Sequence, residues 1–336
     1  MRLAKLSYDS RVKIRSVVNY WRGVSGTDRR TGRSRLDGPQ AVLLQTVDRC
    51  PASCIMCPNS SAQKPGRVRL VDDGLYARLL AELRNVRTLR RFVLMLQNEP
   101  LLDRRLEERV RAAKDTFGSH AVVAVVTSGD LLFPERSAAL IGAGVDELSI
   151  SIDAHTADTY GRIRMGLDFG RVCRNVEALL AENPAITVGV RFLRQRENQH
   201  EVGAFVRHWK ARGAGVFVHT VVNRAGSLES FEAVRLAERR PLHRLVQAVL
   251  RRLYPFCTLP LTAMSVLADG RVILCCHDWG AQAVVGDLTR QSIGEVWNGA
   301  AMRDARRALM AGRASDLQPC AQCSLRHGPW GADGAA

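Results

Sequence analysis

The chain has no apolar run long enough to cross a bilayer. Its longest stretches, such as Ala121 to Val126, fall well short of the roughly 18 residues that a spanning helix needs. The first residues lack the apolar core of a signal peptide. Aromatic residues make up only 6% of the sequence, and no RNA-module motif is present, which argues against a base-stacking surface. There is neither an internal repeat nor a low-complexity tract, so a repeat array is excluded. Acidic residues are outnumbered 33 to 49 by Lys and Arg, giving a net charge of +16. Ten of the basic residues crowd into residues 1–36, against only Asp9 and Asp28. A polyanion-binding arm is one reading of that segment. A solvated basic arm is favoured, because aromatics are sparse. Neither a membrane nor a nucleic-acid partner is expected, and the expected location is cytoplasmic.

Hydrophobic residues make up 46% of the 336, enough for one large core or two modest ones. Nine cysteines without a secretion signal point to metal binding in a reducing compartment rather than to disulfides. Three of them, Cys50, Cys54 and Cys57, follow the apolar run 41–47, which reads as a buried strand. Three thiols in a short loop can wrap one face of an iron–sulfur cube. Such clusters usually take four thiolates, so a local set of three leaves one iron without a protein ligand. Structural zinc or three unrelated buried thiols are the alternatives. Zinc normally takes four ligands, and no His or fourth Cys lies nearby in the sequence.

From residue 41 the pattern alternates. Candidate strands at 41–47, 91–96, 121–127, 147–153, 187–193 and 216–222 are separated by helical stretches near 71–86, 101–115, 134–143, 168–182 and 199–212. Such alternation predicts a parallel sheet with crossover helices. Residues 10–21 predict a further short helix with Val12, Ile14, Val17, Val18 and Trp21 on one side.

The cysteine triplet matches the CxxxCxxC signature, and the chain resembles the radical S-adenosylmethionine (SAM) enzymes. The resemblance implies an α/β fold, a partial (βα)6 barrel. It also implies a [4Fe-4S] cluster whose open iron chelates SAM, and a 5′-deoxyadenosyl radical that abstracts hydrogen from the substrate. Chemistry in parallel barrels sits at the C-terminal strand ends, and motif-like residues recur there. Gln97-Asn98-Glu99 resembles the family's GGE motif, with Glu99 retained to meet the SAM amino group and Asn98 beside it. Thr127-Ser128-Gly129 is similar to Thr-Asn-Gly, which places Ser128 at the cofactor. Ser149, Ser151 and Asp153 alternate onto one strand face. Ser151 resembles the residue that bonds the SAM carboxylate or ribose. Arg164 resembles the arginine that pairs with that carboxylate. Met56 takes the place of an aromatic that packs near adenine. Individually each has a plain alternative: Glu99-Pro100 as a helix start, Ser151 as a polar strand end, Arg164 as a surface charge.

Beyond residue 223 the character changes. A basic helical linker at 227–255 is followed by Ala263–Leu267 and Arg271–Leu274, which read as a hairpin turned at Asp269-Gly270. Cys257, Cys275, Cys320 and Cys323 supply four thiols. This part resembles the SPASM/twitch extension of the family, a small α+β domain. What that implies is one auxiliary [4Fe-4S] cluster; a zinc knuckle with the same ligands is the alternative. The resulting division is a basic extension at 1–40, barrel at 41–226, linker at 227–255, cluster domain at 256–326 and tail at 327–336. Cys173 reads as core packing. Cys276 is open as a ligand, a packed thiol or a hydrogen-atom donor, and Asp278 is the candidate base.

The resemblance implies a two-electron oxidation of a small hydroxylated intermediate, with the auxiliary cluster taking the electron. Small twitch enzymes include dehydrogenases of aminocyclitols, and no further domain for capturing a leader peptide is recognisable. An epimerase or a peptide-modifying maturase is the runner-up, and an RNA-associated protein with structural metal sites is the alternative from another class. The substrate is expected to be a small molecule or a peptide. A one-electron reductant such as flavodoxin or ferredoxin is the expected partner.

Overall fold

The computed structural model describes residues 8–59, 68–182, 184–236 and 252–325, with side chains from residue 17. The predicted alternation is present. Six parallel strands follow in chain order: β1 (Ala41–Leu44), β2 (Arg91–Val93), β3 (Val122–Thr127), β4 (Glu147–Ser151), β5 (Thr187–Arg194) and β6 (Gly215–Thr220). Helices Asp73–Leu83, Leu106–Phe117, Pro134–Gly142, Phe169–Ala181 and Val202–Ala211 lie between them.

Strand alternation sorts the side chains. Val42, Leu44, Phe92, Leu94, Val123, Val125, Leu148, Ile150, Val190 and Phe192 all belong to the one large apolar cluster shared with the helices. The opposite face starts apolar, with Leu43, Val93, Ala124 and Val126. It then turns polar across β4 to β6. There Arg91 holds Glu147 in a buried two-pronged pair at 2.8 and 2.9 Å, and Ser149 is fully buried.

The C-terminal hairpin does not stand apart as a separate sheet. β7 (Ala263–Val266) runs parallel to β1, in register from Ala41↔Ala263 to Leu44↔Val266. β8 (Arg271–Ile273) and β9 (Val284–Asp287) continue the sheet antiparallel, giving nine strands with β9 and β6 at the edges. The turn falls where Asp269-Gly270 predicted it. Gly270 has φ +90°, and a Cβ there would come 2.7 Å from the Thr289 methyl.

The N-terminal helix Tyr8–Ser25 is longer than the expected 10–21. It packs against both β6 and the helical turn Leu259–Thr262, linking the two ends of the parallel array. Its anchor is Tyr20, buried among Phe256, Leu261, Leu309 and Met310. Trp21 and Val18, placed by periodicity on one side of the helix, are about half exposed. Gly32, at φ +68°, lies directly on the Arg303 backbone, and Ser34 is held by Asn298 at 2.9 Å. The second half of the basic extension is thus fastened to the C-terminal region. Most of the expected linker helix, 237–251, lies outside the described residues.

Candidate functional site: two cysteine centres and the space between

The cysteine loop is fixed from several directions. Cys54 pairs with Arg164 in a two-residue antiparallel ladder, Ser53–Cys54 against Arg164–Met165. Ile55 donates to the Ile163 carbonyl at 3.0 Å, and Ser230 donates its hydroxyl to the Ile55 carbonyl at 2.6 Å. Gly166, at φ +90°, lets the second strand lie close: a Cβ would approach the Pro51 carbonyl to 3.2 Å.

Arg164 is committed to a protein carboxylate. Its Nε and Nη2 donate to Asp153 Oδ2 at 2.8 and 2.5 Å, leaving Nη1 4.0 Å from Cys54 Sγ. Asp153, at the end of β4 with φ +64°, also accepts from Leu193 N at 2.6 Å. The fork expected to clasp a carboxylate of the cofactor thus already clasps Asp153, and only Nη1 faces the cluster loop. A helix leads into Arg164, and its start is held by Glu201, which accepts from His155 N (2.6 Å), Thr156 Oγ1 (2.5 Å) and Thr159 Oγ1 (2.7 Å).

Glu99 is 2% exposed and sits where the sequence placed it. It accepts from Thr127 Oγ1 (2.5 Å), Ser128 N (2.7 Å) and Leu101 N (3.1 Å), and its charge is felt at Cys50. The loss of the motif's glycines is compensated. Gln97 keeps a left-handed φ of +57°, and its Nε2 donates at 3.1 Å to the carbonyls of both Cys276 and Asp278. Asn98 braces the loop. Its Oδ1 accepts from Leu96 N at 2.8 Å, and its Nδ2 lies 3.4 Å from Thr46 Oγ1. Met56 is buried in a small cluster with Ala52, Ile163, Val221 and Leu228. Ser151 is partly buried and registers with Arg191.

The second set of thiols comes together from distant segments. Cys257, Cys275, Cys320 and Cys323 act electrostatically on one another. Burial, then the neighbouring Cys323, pushes the Cys320 thiol up to about 12. Burial likewise raises Cys54 to about 12 and Cys50 to about 11, the latter helped by Glu99. Deprotonated thiols there need a cationic partner to be stable. Among the described residues, no three Cys, His, Asp or Glu side chains are drawn around a single metal-sized point. Donor chemistry favours a larger group: soft thiols at both centres, and beside Glu99 at the first centre a buried Ser128 hydroxyl with no protein partner. Cys50, Cys54 and Cys57 fit a cubane carrying a polar ligand, and the other four fit one held by protein alone.

Asp278 is fully buried, and its two oxygens accept from Gln282 N and Ala283 N, each at 2.9 Å, which folds the loop before β9. Cys276 lies on the inner face beside Ile273 and Leu267. Cys173 packs against the large core, as expected.

A radical SAM superfamily profile matches residues 44–208, and an iron–sulfur cluster-binding SPASM profile matches residues 257–324. The chain carries a radical SAM domain followed by a SPASM iron–sulfur domain. SAM, a [4Fe-4S] cluster and auxiliary iron–sulfur binding follow from those two domains. Among curated relatives, a GTP 3′,8-cyclase of Synechococcus sp. is 36% identical over 124 residues, 34% of each chain. A PqqA peptide cyclase of Rhodopseudomonas palustris is 34% identical over 152 residues, 43% of this chain and 39% of that protein. The chain thus spans well under two thirds of these relatives. The fold is shared with BtrN in complex with AdoMet and 2-DOIA (TM-score 0.57, 18% identity, 85% of this chain and 92% of that one). It is shared also with Streptococcus suis SuiB bound to precursor peptide SuiA (TM-score 0.66, 11% identity, 88% and 72%). Among the described residues no helix is long and apolar enough to cross a membrane.

Two contacts escaped the sequence reading: Asp153 as the partner of Arg164, and Arg224 as the partner of His277. The positions of Asp153 after β4 and Arg224 after β6 were the available signal.

Proposed function

We propose that this radical SAM enzyme modifies a peptide, removing hydrogen from one of its side chains in the space between the two cysteine centres. The carrying observation is the turn at Arg224: Arg224 Nη1 lies 3.3 Å from His277 Nδ1 and Asn223 Nδ2 donates to the Gln322 carbonyl at 2.5 Å, while Val221 and Leu228 pack in the cluster with Cys50 and Cys57, so one turn borders both sets of thiols. The peptide class is supported by the similarity to a PqqA peptide cyclase and by the fold shared with SuiB bound to its precursor peptide. These findings favour the maturase alternative over the oxidation of a small alcohol.

When bound, SAM on the first cluster supplies a 5′-deoxyadenosyl radical and the second cluster supplies a one-electron sink. The chain's own part is positional. Glu99 would meet the cofactor's ammonium and Ser128 would offer it a hydroxyl, while the Asp153–Arg164 pair holds the Cys54 limb. Burial pushes the Cys276 thiol up to about 12, and the side chain packs beside Ile273 and Leu267. It remains a candidate hydrogen-atom donor. A one-electron donor of the flavodoxin or ferredoxin class suits the strongly basic surface, since acidic partners are steered to it.

The test is anaerobic incubation with SAM and dithionite, using peptides encoded beside its gene, read by mass spectrometry. A peptide losing two hydrogens supports the proposal. No peptide change, with a small hydroxylated compound losing two hydrogens instead, returns alcohol oxidation to first place.

A further inference from the structure

The space between the two centres collects hydrogen-bond donors that the chain does not itself satisfy. Arg224 follows β6 in a turn where it and Ala225 both have left-handed φ, 48° and 54°. Non-glycine residues adopt that geometry only where the surroundings enforce it. Arg224 Nη1 lies 3.3 Å from His277 Nδ1. A guanidinium only donates, so Nδ1 accepts and the ring proton sits on Nε2. That Nε2 is buried without a partner, and His277 is only 2% exposed. Arg224 Nε and the Trp279 indole Nε1 are also buried without partners. All three are donor-only atoms. Among the described residues Arg224 has no carboxylate within ion-pair distance.

A second pair adjoins the first. Arg191 Nη2 lies 2.9 Å from His219 Nε2, so by the same reasoning His219 presents Nδ1–H. His219 has both Arg191 and Arg224 as charged neighbours. Arg191 registers with Ser151 of β4, and His219 of β6 registers with Leu193 of β5. The turn carrying Arg224 touches both centres: Asn223 Nδ2 donates to the Gln322 carbonyl at 2.5 Å, between Cys320 and Cys323, and the flanking Val221 and Leu228 pack in the cluster that holds Cys50 and Cys57.

An excess of donors with no acceptor is complementary to an acceptor-only group, and a planar carboxylate matches a guanidinium fork. We propose that Arg224, His277 and the Trp279 indole, beside the Arg191–His219 pair, form a pocket that receives a carboxylate of the substrate and anchors it between the two cysteine centres. For a peptide the carboxylate is an acidic side chain or the chain terminus; in naming a peptide, this rests on the function proposed above.

The test is ligand-observed NMR binding to the anaerobically purified holoenzyme. Three probes are compared: N-acetylglutamate α-amide, N-acetylglutamine with a free terminal carboxylate, and neutral N-acetylglutamine amide. At least one acid should bind about tenfold tighter than the neutral amide, or about 1.4 kcal/mol. Preference for the first acid identifies a side-chain carboxylate, and preference for the second identifies a terminus. Arg224→Gln should abolish the difference while Arg224→Lys retains part of it, iron content being checked in both. Equal binding of all three probes would overturn the proposal. So would an acid preference unchanged in Arg224→Gln, or a variant whose only change is the reduction potential of the second cluster. Acid binding that persists while no peptide is ever modified would leave the pocket standing and remove the peptide function.

Discussion

Cys50, Cys54 and Cys57 come from eight consecutive residues, whereas Cys257, Cys275, Cys320 and Cys323 are spread over 67. The first set is held by local devices: the two-residue ladder to Arg164, the Ser230 hydroxyl and the close approach of Gly166. The second set is assembled by the sheet itself, since β7 on β1 brings Cys257 and Cys275 against the barrel, and the N-terminal helix ties Tyr20 to the same region. A compact loop is expected to fail as a unit when one thiol is lost. A dispersed set should depend on how well distant segments stay docked.

The largest contrast should come from single thiols. Cys54→Ala should abolish reductive SAM cleavage, read as 5′-deoxyadenosine. Cys320→Ala should retain that cleavage while losing substrate modification. Loss of both activities in Cys320→Ala would mean that the two centres do not fail independently.

Next is the support of the compact loop. Asp153→Ala strands the buried Arg164 guanidinium and should cost about 3–5 kcal/mol of stability, as breaking a buried pair does. Chemical denaturation measures it. A cost under about 1 kcal/mol would mean that the pair behaves like an exposed one. The Arg91–Glu147 pair lies lower in the barrel, away from either centre. Arg91→Met alone should cost a similar amount, but Arg91→Met with Glu147→Leu should return close to wild type. A double variant as weak as the single would assign the pair a positive role in the fold.

Asp278→Asn tests the dispersed set. It removes one acceptor from the loop before β9, so unfolding should cost about 1–3 kcal/mol, while the pH dependence of turnover should not move. A shifted pH profile would identify Asp278 as a base. The smallest effect concerns Glu201. Burial raises its pKa, but hydrogen bonds from Thr156, His155 and Thr159 outweigh this and lower it below 4.5. A lowered folded-state value contributes stability that is present above the unfolded pKa and lost as pH falls through the folded one. Wild type should therefore lose stability relative to Glu201→Gln below about pH 4.5, by thermal melts. Parallel melting curves across pH would contradict it.

The sheet was legible because each strand and crossover helix carries its own periodicity, and the six strands fall where alternation put them. The two-part pattern of cysteines was legible for the same local reason. What escaped depends on the third dimension. Nothing in the hairpin's sequence says that β7 runs parallel to β1, and nothing in Tyr20 distinguishes it from its neighbour Trp21. The hydrogen bonds that Asn98 Oδ1 takes from Leu96 N, and Asp278 from Gln282 N and Ala283 N, could not be read from their place beside motifs. Asp153 and Arg224 looked structural or went unremarked. Their significance lies in what they face across the barrel mouth, Arg164 in one case and His277 in the other.

The most direct measurement is iron per chain after anaerobic purification, in wild type, in a Cys50/Cys54/Cys57→Ala variant and in a Cys257/Cys275/Cys320/Cys323→Ala variant. Two independent four-iron centres predict about eight irons in wild type and about four in each variant. About four irons in wild type, unchanged by loss of the second thiol set, would contradict the account of two centres flanking one substrate.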